Sequence, residues 1–164
     1  MTVRVPLAIV RLEGDHTHCL VIVAPNGHPT ARAIDPAEIV GQFELIDGQP
    51  NMAPSAFVRG KDFTDFLHAS IASHGPATLG LVEAAKGQHD TYVYVIDGRT
   101  PTPQGSVPLE DIIGSFRVAH GEISSDAYER FGKHQLYTER GFFQLDPALM
   151  GGLLADLARK CGAP

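Results

Sequence analysis

Apolar and non-apolar residues alternate along Ile39–Ile46, IVGQFELI, and again along Ile112–Ala119, IIGSFRVA, and each run stops at a dipeptide ending in glycine, Asp47-Gly48 or His120-Gly121. A period of two marks a half-buried strand, and such dipeptides suit a tight turn between strands. A shift of 73 residues superimposes the runs, with Ile39 on Ile112, Gly41 on Gly114, Phe43 on Phe116 and Gly48 on Gly121. Carried upstream without a gap, the same shift brings Gly14 onto Gly87, His16 onto His89 and CLVIV (19–23) onto YVYVI (92–96).

Both copies read alike. In the first, LAIVRL (7–12) predicts a strand, EGDH (13–16) a tight turn and CLVIV a second, β-branched strand; a Pro/Gly loop and the alternating strand follow. A helix closes each copy. The first has Asp62 as its expected cap, Phe63, Phe66, Leu67 and Ile71 on one face, and a stop at His74-Gly75-Pro76. The second has Asp146 as cap, Pro147 at the first helical position, a stripe through Leu149, Met150, Leu153, Leu154 and Leu157, and Arg159 and Lys160 at the negative end of the dipole.

The expected fold is therefore α+β: one domain over residues 1–164, made of two β-β-β-α units, about 1–76 and 77–164, related by a pseudo-twofold, with a mainly antiparallel sheet and two helices. Pairing two units covers the apolar face and the free edge that one alone would expose. The second unit is longer between its turn and its helix. The extra sequence lies within residues 122–145, where HQLYT, ERG and FFQL predict a further hairpin and SSDAYERFG a turn of helix or an ordered loop.

Charge narrows the classes of partner. Lys and Arg number 13 against 19 Asp and Glu, the formal charge is −6, and the basic residues are scattered, which argues against nucleic acid as partner. The absence of Trp removes the best stacking platform for single strands. No apolar run approaches the roughly 18 residues of a membrane span, and the first residues lack a leader pattern. A cytoplasmic location follows as the expectation. Cys19 and Cys161 lack any CxxC spacing and read as packed thiols, although a bridge between them stays open.

Candidate chemistry gathers in two places. His16 and His18 lie two residues apart, which on a strand puts both on one face, and the shift makes His89 the counterpart of His16; converging turns would let the three hold a divalent metal. In the lengthened part of the second copy, Tyr128, Arg130, His134, Tyr137 and Arg140 mix donors and titratable groups, and Arg99 stands on the Pro-rich loop before it. Paired arginines suit a small anion, and His134 titrates near neutrality. Nucleophile-elbow, phosphate-loop, dinucleotide and HExxH motifs are absent. The leading expectation is thus a non-catalytic binding domain for a small polar or anionic ligand or a protein partner, needing no cofactor and able to form a homodimer. The alternative is a small enzyme, either metal-assisted through the three histidines or using His134 with Tyr128 for acid/base work.

Overall fold

A computed structural model describes residues 3–26, 32–88, 90–100 and 106–162. The chain runs through strands β1 (Val3–Arg4), β2 (Leu7–Val10), β3 (His18–Val23), β4 (Ile39–Ile46), β5 (Gln49–Pro50) and β6 (Phe57–Arg59), then helices α1 (Lys61–His74) and α2 (Leu79–Lys86). It continues through β7 (Tyr92–Ile96), β8 (Ile112–Ala119), β9 (Glu122–Arg130), β10 (Tyr137–Thr138), β11 (Gly141–Phe142) and β12 (Gln144–Leu145) to α3 (Pro147–Cys161). The fold is α+β with antiparallel sheets. One sheet has the order β2-β3-β4, with β5 and β6 both on the far side of β4; another has the order β7-β8-β9; and β1-β12 and β10-β11 form short pairs.

The two alternating runs form β4 and β8, and their local geometry agrees in detail. Asp47-Gly48 has φ of 51° and 76°, His120-Gly121 has 54° and 76°, so both are tight hairpin turns with two left-handed residues. Val21 faces Gly41 and Ile22 faces Ile39, leaving Val40 as an extra bulge residue; Val95 faces Gly114 and Ile96 faces Ile112, leaving Ile113. Both bulge residues have no exposed surface. The bulge lets Val40 and Phe43, or Ile113 and Phe116, point into the same core although three positions apart. A short 3-10 turn precedes each run, Pro36–Glu38 and Leu109–Asp111.

The third strand matches as well. Gly41 and Phe43 pair with Arg59 and Phe57; Gly114 and Phe116 pair with Arg130 and Tyr128. Each glycine is needed because an aromatic ring from the neighbouring strand lies across it. A Cβ on Gly41 would stand 2.2 Å from the Phe57 ring, and one on Gly114 2.4 Å from the Tyr128 hydroxyl oxygen.

Several expectations change. The ungapped alignment is off by one on the second strand, since Val21 corresponds to Val95, 74 residues on, while Gly41 corresponds to Gly114, 73 residues on. SSDAYERFG belongs mostly to β9, whose register is held by Tyr128 packing over Gly114 and against Phe116. A third helix, α2, stands where the repeat would place the counterpart of β2. The cap of α1 is Gly60 rather than Asp62: Gly60 N–H is held by Val40 O, so the sheet fixes where the helix begins. The cap of α3 is Asp146, accepting from Ala148 N–H at 2.8 Å, with Pro147 first and left-handed Gly162 after the last turn. No helix among the described residues is long and apolar enough to cross a membrane.

One core joins both halves. Phe63, Leu67 and Ile71 of α1 are almost wholly buried with Phe43 and Val21 of the first sheet and Ile113 and Phe116 of the second. The β10-β11 hairpin reaches from the second half onto the first sheet: Tyr137 packs edge-on to Phe43 at 5.2 Å and Phe142 edge-on to Phe57 at 5.8 Å. This cluster gives the hairpin an anchor that two-residue strands lack alone. Because the space above Gly114 is filled by Tyr128, Gly114→Ala is expected to lower unfolding stability by about 2 kcal/mol. Gly132→Ala, at a site with open space around it, should change it by less than about 0.5 kcal/mol. Urea denaturation of the two variants checks this.

Candidate functional site

The densest polar cluster is built around Arg99, on the turn that follows β7. Asp97 opens this turn, and its Oδ1 accepts from the Arg99 backbone N–H at 3.1 Å and from Gln144 N–H at 3.0 Å. Its Oδ2 accepts from Arg99 Nη2 at 2.9 Å and from His134 Nε2 at 2.9 Å. The Asp97 side chain has no exposure and that of Arg99 has 1%. Arg99 Nη1 donates to Thr138 Oγ1 and Gly141 O, Nη2 also donates to Gln135 O and Glu110 O, and Nε lies 3.4 Å from Asp111 Oδ1. Arg140 clamps Asp111 with both terminal nitrogens at 2.8 Å and reaches Glu110 at 2.9 Å.

These contacts neutralise one another. Burial opposes the charge on Asp111, yet hydrogen bonds from Arg140 and Thr100, with Arg99 close by, hold its pKa below the usual carboxylate value. Its carboxylate and that of Glu110 push the Arg140 guanidinium further up. Burial lowers the pKa of His134, although the Asp97 carboxylate beside Nε2 opposes the shift. The cluster fastens the β7 turn, the 3-10 turn before β8, the β10-β11 hairpin and β12 to one another.

The predicted ligand residues therefore divide. Arg99, His134 and Arg140 share this network, with Arg99 and His134 inside it and Arg140 at its rim. Arg140 also borders an open groove of about 470 Å³ lined by Tyr137, Glu110, Gln135, Glu139 and Pro54. The Tyr137 hydroxyl donates to Met52 O. With Arg140 held by two carboxylates and Glu139 added, the groove does not present the unpaired positive charge that an anion requires. Tyr128 and Arg130 lie elsewhere, on β9 against α1. Arg130 and Lys61 both reach Asp65 at 2.8 Å and bring its pKa down to about 2.

His68, on α1, went unnoticed in the sequence. It is 5% exposed, and its Nδ1 is 2.6 Å from the Tyr128 hydroxyl oxygen. Burial, reinforced by Arg130, His134 and Arg59 and opposed by Asp65, lowers its pKa to about 4, and burial raises that of Tyr128. Both groups are neutral at physiological pH. A second unread cluster joins the helices: Ser70 Oγ donates to Asp156 Oδ2 at 2.7 Å and His74 Nε2 meets the same oxygen at 3.0 Å. Ser70 and His74 both bind the carboxylate rather than each other, which is a helix-helix clip and not a nucleophile with its base. Their spacing of four on one helix was the available signal.

The metal expectation meets a different geometry. β3 begins at His18, so His16 lies in the turn before it and strand alternation does not align the two rings. Asp15 Oδ1 is taken by Thr17 N–H, the Thr17 hydroxyl and His18 N–H, and His18 Nδ1 stands 2.8 Å from Thr17 Oγ1. His89 falls outside the described residues. Among the described residues no group of three His, Cys, Asp or Glu is placed to hold a metal ion. Cys19 and Cys161 are unbridged, and burial beside Glu38 pushes the Cys161 thiol up to about 11. No family model, curated protein or solved structure matches the chain.

Two outcomes follow. Arg99→Met should destabilise the fold by about 3–5 kcal/mol, because it strands Asp97 and Asp111 without their shared cation, and guanidinium denaturation measures this. For His68, the unfolded chain takes up a proton near pH 6.5 that the folded chain refuses until about pH 4. Stability therefore falls as pH drops through that window, by on the order of 2 kcal/mol from this residue. In His68→Gln the fall should be shallower, read from denaturation midpoints at pH 7 and pH 4.5.

Proposed function

We propose that the chain is a non-catalytic cytoplasmic binding domain whose ligand is a protein, docked on the outer face of the first sheet. The observation that carries this reading is a cross-strand row on that face, Val10, Leu20, Gln42 and Val58 on β2, β3, β4 and β6. Val58 is 58% exposed, and Ile46, further along β4 on the same face, is 53% exposed. The opposite face, carrying Cys19, Val21 and Phe43, is the one buried in the core.

The second sheet offers a contrast. At matching positions it carries Tyr94, Ser115 and Glu129, so a charged side chain stands where the first sheet has Val58. An apolar patch rimmed by polar groups, here His18 and Glu44, is the usual mark of protein recognition. The inward pairing of Arg99, His134 and Arg140 weighs against a small anion at those residues, and the unbridged thiols suit a reducing compartment.

Val58→Glu places a charge in the row at a solvent-facing position, so the fold should keep its stability within about 0.5 kcal/mol. Immobilised wild-type protein should retain a partner from lysate of its source cells that Val58→Glu loses by at least about tenfold and that Glu129→Ala keeps, with a purified partner then titrated calorimetrically. Equal retention by all three would remove the reading.

A further inference from the structure

The two halves differ at one edge. In the first, Leu45 N–H donates to Thr17 O at 2.7 Å, which sets the phase of the β3-β4 ladder and turns the backbone groups of Leu20 and Ile22 toward β2. There they lie opposite Val10 and Ala8, and Ala24 N–H continues the pairing to Pro6 O. In the second half Val118 N–H donates to Thr91 O at 2.7 Å, so by the same phase Tyr94 and Ile96 turn their N–H and C=O groups away from β8. The end of that edge is occupied, since Gly98 N–H donates to Gln144 O at 3.0 Å. Along β7 itself no strand lies beside it among the described residues: α2 stands in the sequence where a counterpart of β2 would be.

β7 also carries none of the sequence devices that keep an edge unpaired. Its sequence, YVYVI, has no charge and no proline, and its bulge lies on β8 rather than on the edge. The other edges differ. β2 is four residues long between Pro6 and Arg11, β6 is three residues long, and β9 carries Glu122, Asp126, Glu129 and Arg130. Tyr92 and Tyr94 remain 43% and 54% exposed beside this edge, which no strand among the described residues covers.

We infer that β7 is a homodimer edge, pairing antiparallel with β7 of a second copy in the position that β2 takes on β3. The strand is self-complementary. Tyr94 sits on the twofold opposite its own copy, Tyr92 lies opposite the partner's Ile96, and no like charges meet because the strand has none. Two three-stranded sheets become one of six strands. Gln144 limits the pairing to Tyr92–Ile96, and so short a contact buries well under the roughly 800 Å² per partner of a standard stable interface, so the dimer forms weakly and with concentration. It uses a surface other than the aliphatic row of the first sheet, and either can fail without the other.

Sedimentation velocity from low micromolar to submillimolar protein tests it. Wild type should pass from monomer to dimer, and Tyr94→Pro should remain monomeric with an unchanged circular dichroism spectrum, since the N–H it removes faces the free edge and not β8. A readout on the wild type covers the case in which that variant fails to fold: the amides of Tyr92, Tyr94 and Ile96 should exchange at least about tenfold more slowly at high concentration than at low. A wild type that stays monomeric throughout, a dimer that survives Tyr94→Pro, or edge amides indifferent to concentration would each overturn the inference. A monomer that gains the same amide protection only from another protein's extended segment would overturn it too, in favour of a foreign strand.

Discussion

Asp97 and Asp111 have no exposed surface, and the need to match their charges inside the fold organises much of the second half. A buried carboxylate without a cation costs several kcal/mol, and with one it is tolerable only if its remaining lone pairs are also filled. Arg99 meets the first need for both aspartates, and Arg140 meets it again for Asp111. The second need draws in His134, Gln144 N–H and Thr100, which come from three separated places in the chain. That is why the β10-β11 hairpin has a fixed position from which Tyr137 and Phe142 can cap Phe43 and Phe57 of the first sheet. The network and the aromatic cap act in series: one holds the hairpin to its own half, the other holds that half to its neighbour.

The equivalent place in the first half is simpler. Glu38 stands at the end of the 3-10 turn where Asp111 stands in the second, and Arg32 meets it from six residues away with contacts of 2.6 and 2.9 Å. Glu38 also accepts from Asp35 N–H in a capping box, so a local pair satisfies what takes a long-range network in the other half. Extra sequence in the second half is therefore coupled to a more demanding buried charge.

Legibility followed the range of the forces involved. Local rules gave β4, β8, both glycine turns and α3, whose cap, proline and leucine stripe all agree. β9 was obscured because Ser124, Ser125 and Asp126 have weak strand preference; what makes it a strand is Tyr128 filling the space over Gly114, a contact between residues fourteen apart. α2 is eight residues long and was hidden by an alignment that expected a strand there. In the site, the donors Arg99, His134 and Arg140 were visible as candidates. Their acceptors were not, because nothing local in the sequence marks Asp97 and Asp111 as buried until the fold brings them inside. His68 was passed over since a histidine on an apolar helix face looks like any other until Tyr128 arrives from β9.

A cluster of arginine, histidine and tyrosine in a lengthened segment is thus ambiguous in sequence, because a ligand site and a buried strut call for the same residues. The deciding quantity is the balance of charge after folding. Arg99 and Arg140 face Asp97, Asp111 and Glu110, which leaves no positive charge over for an anion. The proposed recognition surfaces are instead of two kinds: aliphatic side chains on the outer face of the first sheet and backbone polar groups along β7. The first kind would select by shape and the second by strand pairing, so the two proposed surfaces are unlike. That difference arises at a single place, where one half supplies β2 and the other supplies α2.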